Sequence, residues 1–196
     1  MDQPAPRLDS TGLACMRGGR LIFEDVALQV TRGGALLVRG PNGAGKSSLL
    51  RLLAGLLPPA AGRLSNPFRT AYLGHDNVLK LDRTLGDELR FWARLDGAAG
   101  RVDEALARFD LAPLADLPTR VLSSGQKRRA ALARTWASGA ELWLLDEPSV
   151  GLDMASIDRL AAACADHRAQ GGLIVAATHV PLGIDDADVL MLERLS

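Results

Sequence analysis

A glycine-rich octapeptide near residue 40 has the composition and spacing of a phosphate-binding loop. It fits the pattern G-x-x-x-x-G-K-[ST] at every fixed position. Its members are Gly40, Pro41, Asn42, Gly43, Ala44, Gly45, Lys46 and Ser47. The glycines let backbone amides curl around a phosphate, and the lysine of such a loop reaches the β- and γ-phosphates of a nucleotide. The hydroxyl of Ser47 could then ligate Mg²⁺.

A second pair of chemically useful residues follows an apolar run about a hundred residues later. Residues 142–145 read as a buried strand, and Asp146 and Glu147 come directly after them. A phosphate loop needs such an acid to hold Mg²⁺ at the end of a neighbouring strand, which we assign to Asp146. Glu147 would act as a general base on the attacking water. An acidic cap on a turn or helix is the alternative for these two carboxylates.

The elements around the loop are those that the phosphate-binding motif requires. The apolar run of residues 35–38 predicts a buried strand before it, and residues 48–57 predict a helix after it. Strand, glycine loop and helix in this order place the phosphate at the positive end of the helix dipole. This context argues against a chance octapeptide, which is the other interpretation of the motif.

Composition limits the class of protein. The chain has 196 residues, with 23 Lys and Arg against 23 Asp and Glu, so its formal charge is zero. Such a balance argues against a nucleic-acid partner. We find no apolar run near the ~20 residues that span a bilayer and no signal peptide, so we expect a cytosolic chain. Cys15 and Cys164 lack neighbouring ligand residues, and we expect two reduced, packed thiols.

The remaining pattern predicts an α/β fold. We expect a P-loop NTPase core with an N-terminal antiparallel β region over residues 13–30 and an inserted α-helical subdomain at approximately residues 76–135. Further buried strands are predicted over residues 69–73 and 173–177, with a helix over residues 155–168 between the last acids and the latter strand. Residues 1–10 are predicted to form a flexible tail, and residues 11–196 a single nucleotide-binding domain.

Five short motifs occur in an order that resembles one protein family. They are residues 40–47, then LSSGQ at 122–126, LLDEP at 144–148, GLD at 151–153 and TH at 178–179. This order resembles that of an ABC-transporter ATP-binding cassette, over about 140 residues. The resemblance implies a head-to-tail homodimer that depends on ATP. Two ATP molecules would lie between the phosphate loop of one copy and the LSSGQ signature of the other.

The resemblance also assigns site residues. Lys46, Glu147 and His179 would be catalytic, and Ser48 would contact ATP together with residues 40–47. In trans, the opposite nucleotide would meet Ser123, Ser124, Gly125, Gln126 and Asp153. A helix that begins with a serine hydroxyl is an anion receptor. Ordinary N-caps are the alternative for Ser123 and Asp153, and a structural residue is the alternative for His179.

The chain departs from the family pattern at three positions. Ser124 stands where a second glycine is usual in the signature, which makes close packing there less secure. His75 stands where most cassettes have a glutamine that senses Mg²⁺, and we include it as a candidate metal contact. Arg17 takes the place of an aromatic residue that stacks on adenine; a guanidinium plane can also stack on a base. A solvated arginine in a turn is the alternative for Arg17.

Four features resemble one subgroup, the ATP-binding subunit of the bacterial haem exporter of cytochrome c maturation: residues 73–75, residues 91–95, residues 123–129 and the compact length. The resemblance implies separate integral-membrane partners and a peripheral location on the cytoplasmic face of the inner membrane, with membrane contact only through those partners. We expect the helical insert to dock on them, with exposed residues from Asp76 to Leu81 as the first candidates. The alternatives are a transporter with another cargo, a soluble ABC ATPase acting on nucleic acid or ribosomes, and an inactive nucleotide-gated module.

Overall fold

Two sheets and five α-helices make up the computed structural model, which describes residues 5–76 and 79–194. The strands are β1 (Arg7–Arg17), β2 (Arg20–Thr31), β3 (Ala35–Arg39), β4 (Ala61–Ser65), β5 (Thr70–Leu73), β6 (Leu142–Asp146), β7 (Leu173–Ala177) and β8 (Asp188–Met191). The α-helices are α1 (Lys46–Leu53), α2 (Leu85–Leu95), α3 (Val102–Arg108), α4 (Ser124–Ala137) and α5 (Met154–Ala169). Three 3₁₀ turns cover Ala99–Arg101, Ala112–Leu114 and Thr119–Val121.

The antiparallel sheet has the strand order β2-β1-β4 and begins earlier than expected. Residues 7–10, expected in a flexible tail, belong to β1, because Leu8 and Ser10 point into the core and pair with Val30 and Leu28 of β2. The first four residues of the expected tail lie outside the described residues. Strand β4 was not expected, since its sequence is polar and mostly exposed; pairing with β1 makes it a strand.

The parallel sheet has the order β5-β6-β7-β3-β8. Side chains alternate along β6: Leu142 and Leu144 pack with α1 and the antiparallel sheet, whereas Trp143 and Leu145 pack with the other helices. Because the strands are parallel, their carboxyl ends meet at one edge, where open α/β sheets bind ligands. The α/β fold with an antiparallel β region, expected from the sequence, is confirmed.

Between β5 and β6 the chain forms the helical insert, which contains α2, α3 and α4. The expected boundaries, about residues 76–135, enclose these helices except for the last two residues of α4. Helix α2 begins at an N-cap, Thr84, whose hydroxyl accepts a hydrogen bond from the amide of Asp87. Residues 77 and 78, within the expected docking segment, lie outside the described residues.

Candidate functional site

The phosphate loop joins β3 to α1, and two of its glycines are required by geometry. Gly45 has φ = 100°, and a Cβ added there would lie 2.5 Å from Cγ2 of Ile22. Gly40 has φ = 144°, and its added Cβ would lie 2.2 Å from the carbonyl oxygen of Leu192. Any side chain at either position would be strained and would displace its neighbours. The loop therefore follows the narrow path that leaves its amides available to a phosphate.

Lys46 is the first residue of α1, and its side chain is folded back over the loop. The Nζ atom donates hydrogen bonds to the carbonyl oxygens of Gly40 at 2.8 Å and Pro41 at 3.2 Å. These two acceptors hold a buried ammonium group in place beside the helix N-terminus. The Lys46 ammonium group therefore lies where the β- and γ-phosphates of a bound nucleotide would be expected.

Ser47 and Asp146, far apart in sequence, meet at the end of β6. Ser47 Oγ donates to Asp146 Oδ1 at 3.0 Å, and the Tyr72 hydroxyl donates to Asp146 Oδ2 at 3.3 Å. Arg51 Nε in turn donates to the Tyr72 oxygen at 3.3 Å. Burial raises the pKa of Tyr72, and the hydrogen bond to Tyr72 raises the pKa of Arg51. Both oxygens of the Asp146 carboxylate are therefore held by hydrogen bonds.

Ser47 and Asp146 offer the kind of oxygen atoms that Mg²⁺ prefers. The ion binds hard oxygen ligands at about 2.0–2.1 Å in octahedral geometry and usually keeps several of its waters. Ser47 Oγ could be a direct ligand, and the Asp146 carboxylate, whose Oδ1 lies 3.0 Å from it, could accept a hydrogen bond from a metal-bound water. Groups of three or more His, Cys, Asp or Glu suited to a metal are absent from the described residues.

Glu147 follows Asp146 in an unusual backbone conformation. Its φ is 44°, in the left-handed region that costs a non-glycine residue about 1–2 kcal/mol. Its amide donates to the carbonyl oxygen of Ala177 at 2.8 Å. The side-chain Oε1 lies 3.5 Å from Nε2 of His179, which lines a cavity of about 420 Å³ together with Gly40. The structure thus places Glu147 and His179 side by side near the first residue of the phosphate loop.

The LSSGQ segment begins α4 with a complete capping box. The Ser123 hydroxyl accepts from the amide of Gln126 at 3.2 Å, and the Gln126 side chain accepts from the Ser123 amide at 2.8 Å. The amides of Ser124 and Gly125 lie in the first helical turn, where N–H groups have no acceptor within the helix. The expected N-cap is therefore present, and the first turn still offers amides to an anion.

Asp153 likewise caps a helix. Its Oδ1 accepts a hydrogen bond from the Ser156 amide at 2.9 Å at the start of α5. The hydrogen bonds from Ser156 hold the pKa of Asp153 below its ordinary value. A Cβ added to Gly125 would lie 3.2 Å from the carbonyl oxygen of Gly151, so this loop and the start of α4 are in contact within one chain.

The structure does not join His75 and Arg17 to the centre of this site. His75 lies with Asp76 on the wall of a cleft of about 750 Å³ between β5 and the helical insert, and no hydrogen bond within the described residues joins it to Asp146. Arg17 is the exposed last residue of β1, beside the turn to β2, and its backbone lies opposite that of Arg20 in the strand register. Arg20, not Arg17, borders a cavity of about 410 Å³ beside the phosphate loop. The assigned roles of His75 and Arg17 remain predictions.

Three residues at the site were not assigned by sequence. Tyr72 donates to the Asp146 carboxylate, and Arg51 donates to the Tyr72 oxygen. Arg128 of α4 donates to backbone carbonyls at the end of β6. Arg51 lies four residues after Ser47, on the same face of α1, and that spacing was a usable signal. Nothing in the sequence distinguishes Arg128 from the arginine beside it, because its acceptors are main-chain oxygens.

Known sequences that match this chain belong to one protein family. The profile of the ABC transporter family matches residues 23–150. A "Cytochrome c biogenesis ATP-binding export protein CcmA" from Sphingopyxis alaskensis is 52% identical over 186 residues, which cover 94% of this chain and 96% of that protein. A protein of the same name from Paramagnetospirillum magneticum is 47% identical over 201 residues, covering 94% and 93% respectively.

Solved structures share the fold. The ATP-binding subunit of an ABC transporter superposes with a TM-score of 0.85 at 24% identity, over 97% of this chain and 89% of that one. A "putative metal-chelate type ABC transporter" in an inward-facing conformation superposes with a TM-score of 0.80 at 26% identity, over 94% of this chain and 78% of that one.

No helix within residues 5–76 and 79–194 is long and apolar enough to cross a bilayer.

Proposed function

Because the chain belongs to the ABC transporter family of ATP-binding proteins, we propose that it binds Mg²⁺ and ATP at the carboxyl edge of its parallel sheet and hydrolyses ATP there. One observation supports this most directly: Ser47 of the phosphate loop and Asp146 of β6 meet at 3.0 Å, with Glu147 next in the chain. This arrangement supports the proposal, because phosphoryl transfer requires a phosphate loop, an acid that holds the metal and a base close to one another.

Lys46 and the loop bind the phosphate chain. On ATP binding, Lys46 Nζ exchanges the carbonyl oxygens of Gly40 and Pro41 for β- and γ-phosphate oxygens. The positive end of the α1 dipole and the amides at the start of α1 would face the same charge, whereas the Ala44 amide donates to the carbonyl oxygen of Pro41 within the loop. Ser47, and Asp146 through water, would hold Mg²⁺, which would supply positive charge to neutralise the phosphate oxygens. Arg17 stacks on the base.

Glu147 activates the water that attacks the γ-phosphorus. Its carboxylate takes a proton from this water as the new phosphorus–oxygen bond forms and the bond from the γ-phosphorus to the β–γ bridging oxygen breaks. The products are ADP and inorganic phosphate. His179, 3.5 Å from Glu147 Oε1, orients the base and contacts the γ-phosphate. The left-handed backbone of Glu147 sets the direction of its side chain, so the strained conformation contributes to the position of the base.

Two copies close head to tail over two ATP molecules. The first turn of α4, from Ser123 to Gln126, meets the γ-phosphate held by the partner, and Asp153 lies beside it. Exposed apolar side chains surround these motifs: Val121, Val150 and Met154 are 60%, 52% and 71% exposed. Apolar side chains this exposed around a polar centre favour a protein interface. ATP would join the copies, and hydrolysis would release them.

Membrane subunits dock at the cleft of about 750 Å³ between β5 and the helical insert. The cleft has both apolar and charged walls, including Trp92, Leu95 and Arg134, and Leu95 is largely exposed. Arg134 stacks 3.7 Å from the Trp92 ring, and burial lowers its pKa. His75 and Asp76 border the same cleft, next to the nucleotide edge. The chain would contact the inner membrane only through these partners, on its cytoplasmic face.

The cargo proposed is haem for cytochrome c maturation. The relatives at 52% and 47% identity are named as cytochrome c biogenesis export proteins, and the alignments cover nearly the whole of both chains. Residues 73–75, 91–95 and 123–129 resemble the same subgroup. ATP hydrolysis here would drive the membrane subunits to release a haem-loaded chaperone on the far side.

Dimer closure can be tested with a charge placed in the signature. Glu147→Gln should form dimers with ATP and Mg²⁺ in sedimentation, since ATP stays unhydrolysed. Adding Gly125→Glu should abolish these dimers while ATP still binds, because a carboxylate would face the partner's γ-phosphate. Gly100→Glu is the matched control, because its position in the insert is open and has no neighbour within 4 Å. Dimers that survive Gly125→Glu would contradict the proposed interface.

The haem assignment is tested by co-purification from membranes of the source bacterium. The tagged chain should bring down integral-membrane subunits that bind or pass on haem. A Leu95→Glu variant in the docking cleft should lose these subunits, whereas Leu56→Glu, at an exposed position outside the cleft, should keep them. Recovery of membrane subunits that never handle haem would overturn the cargo and leave the ATPase intact.

A further inference from the structure

Arg128 is a buried arginine that connects three separate segments of the chain. It lies in the second turn of α4, and only 2% of it is exposed. Its guanidinium donates to the carbonyl oxygens of Gly74 at 2.8 Å, Asp146 at 2.9 Å, Glu147 at 2.6 Å and Pro148 at 3.1 Å. These oxygens belong to the segment after β5, which borders the docking cleft, and to the end of β6, which carries the acids.

The neighbouring arginine shows that this arrangement is specific to one position. Arg129 donates to the carbonyl oxygens of Phe109 and Asp110 and to the Asp110 carboxylate, all within the helical insert. Arg128, one residue earlier, points instead toward the parallel sheet. Burial lowers the pKa of Arg128, while the charges of Asp146 and Glu147 favour its cationic form. A buried cation is retained only where its donors are satisfied, as several are here.

The contact with Glu147 constrains the base most directly. The amide of Glu147 donates to Ala177 in β7, and its carbonyl oxygen accepts from Arg128 at 2.6 Å and from the Val150 amide at 3.2 Å. Both peptide groups that flank the left-handed Cα of Glu147 are therefore fixed, the first by the sheet and the second by α4 together with the following turn. A strained conformation of this kind persists only where its surroundings over-determine it. Arg128 supplies the part of this restraint that comes from α4, and it makes the shorter of the two hydrogen bonds to the Glu147 carbonyl oxygen.

We propose that Arg128 is a positioning residue for ATP hydrolysis and fixes the backbone of Glu147 relative to α4. The base then moves together with the helix whose first turn meets the partner's nucleotide. The inference rests on the proposed role of Glu147 as the general base. It adds a direct link from the signature helix of a chain to the catalytic base of the same chain. Through Gly74, the link also reaches the edge of the docking cleft.

The first test separates positioning from folding by comparing Arg128→Met with Arg129→Met in the full chain. Arg128→Met should lower kcat about 10- to 100-fold, since small misplacements of a reacting group cost that much. Its KM for ATP should stay within about threefold, because the hydrogen bonds of Arg128 described above go to segments outside the phosphate loop. Arg129→Met removes as many donors from the same helix and should leave kcat within about threefold. Arg128→Lys should recover part of the rate. Equal kcat losses in the two methionine variants would overturn the proposal.

A double-mutant cycle shows whether Arg128 acts through Glu147. Against Glu147→Gln, the Arg128→Met change should lower the residual rate by no more than about twofold, because the base is already gone. A further 10- to 100-fold loss would mean that Arg128 acts by another route. If wild type and Glu147→Gln hydrolyse ATP equally, the proposed function fails, and the result does not depend on Arg128.

A spectroscopic readout needs neither turnover nor partners. The chain has three histidines, so the imidazole signal of His179 can be assigned with a His179→Gln variant. Because His179 lies 3.5 Å from Glu147, Arg128→Lys should shift its signal, and Arg129→Lys should not. An unmoved His179 signal in Arg128→Lys would overturn the inference, even if the methionine variant were too unstable to assay.

Discussion

The two edges of the parallel sheet have opposite character, although the same strands form both. At the carboxyl edge, β6 ends in Asp146 and Glu147, with left-handed backbone at Glu147 and a network of polar side chains. At the amino edge, the Trp143 ring stacks on His167 at 4.0 Å between centroids, nearly parallel at 9°. His167 Nε2 lies 3.1 Å from the carbonyl oxygen of Glu141 and 3.3 Å from that of Leu173.

The difference indicates that the amino edge stabilises the fold, whereas the carboxyl edge carries the candidate functional site. The amino edge is closed by stacked rings and satisfied carbonyls, and burial lowers the pKa of His167 to about 4, so its ring stays neutral at physiological pH. The carboxyl edge keeps strained backbone, and its lysine donates to two carbonyl oxygens of the phosphate loop. Proteins tolerate such strain at sites that act on ligands, and the rest of the fold compensates for it.

A methyl group added at each edge should give the largest contrast. Gly45→Ala puts a Cβ 2.5 Å from Ile22 at φ = 100°, and Gly172→Ala puts one 2.3 Å from the His167 ring. Left-handed strain and overpacking together cost about 2–5 kcal/mol at Gly45. If the loop moves to relieve this cost, ATP binding by Gly45→Ala should weaken about 30-fold or more in calorimetry.

Gly172→Ala should have the reverse profile. Its loss should be in unfolding free energy, about 1–3 kcal/mol from overpacking against His167, while ATP affinity stays within about twofold. Chemical denaturation and calorimetry measure the two quantities on the same samples. If Gly172→Ala weakens ATP binding as much as Gly45→Ala does, the two edges are not functionally separate.

Stability should depend on pH through the amino edge. The pKa of His167 is about 4 in the folded chain against 6.5 ordinarily, so the unfolded chain binds more protons between these values. Stability should therefore be fully present above pH 6.5 and fall by about 3 kcal/mol as the pH drops toward 4. His167→Gln keeps an N–H donor but cannot titrate, so its unfolding free energy should change less over this range. An unaltered slope would show that other groups dominate.

The smallest effect is expected from Tyr72→Phe. This change removes the hydroxyl that donates to Asp146 Oδ2 and accepts from Arg51. One hydrogen bond contributes about 1 kcal/mol, so the Mg²⁺ concentration for half-maximal hydrolysis should rise about five- to tenfold. Magnesium titration of the ATPase rate measures this, and Arg51→Lys should give a smaller rise. No change in either variant would remove Tyr72 from the metal site.

The sequence predicted those residues of the candidate site that belong to short sequence motifs. The phosphate loop, Asp146 and the N-caps at Ser123 and Asp153 are visible because short spacing and residue type together specify them. Strand order then brings Ser47 to Asp146, which follows once the parallel sheet is expected. The α/β fold and its inserted helices could be predicted for the same reason, since periodicity and glycine turns mark their limits.

The rest depends on contacts that sequence does not display. Strand β4 is mostly exposed and lacks alternation, and only its pairing with β1 makes it a strand. The start of β1 at Arg7 depends on Leu8 fitting against Val30 of β2. Arg128 bonds to main-chain oxygens, which every residue has, so no pattern of side chains could reveal it. Tyr72 reaches Asp146 across neighbouring strands, a pairing that register alone determines.

The most direct test compares the glutamates at the two ends of β6, Glu147 and Glu141, by single-turnover ATP hydrolysis. Glu147→Gln removes the proposed base and should slow hydrolysis about 10²- to 10⁴-fold with ATP affinity unchanged. Glu141→Gln removes a surface partner of Arg32 and should leave the rate within about twofold. Equal rates in the two variants, or a loss confined to Glu141→Gln, would contradict the assignment of catalysis to the carboxyl edge.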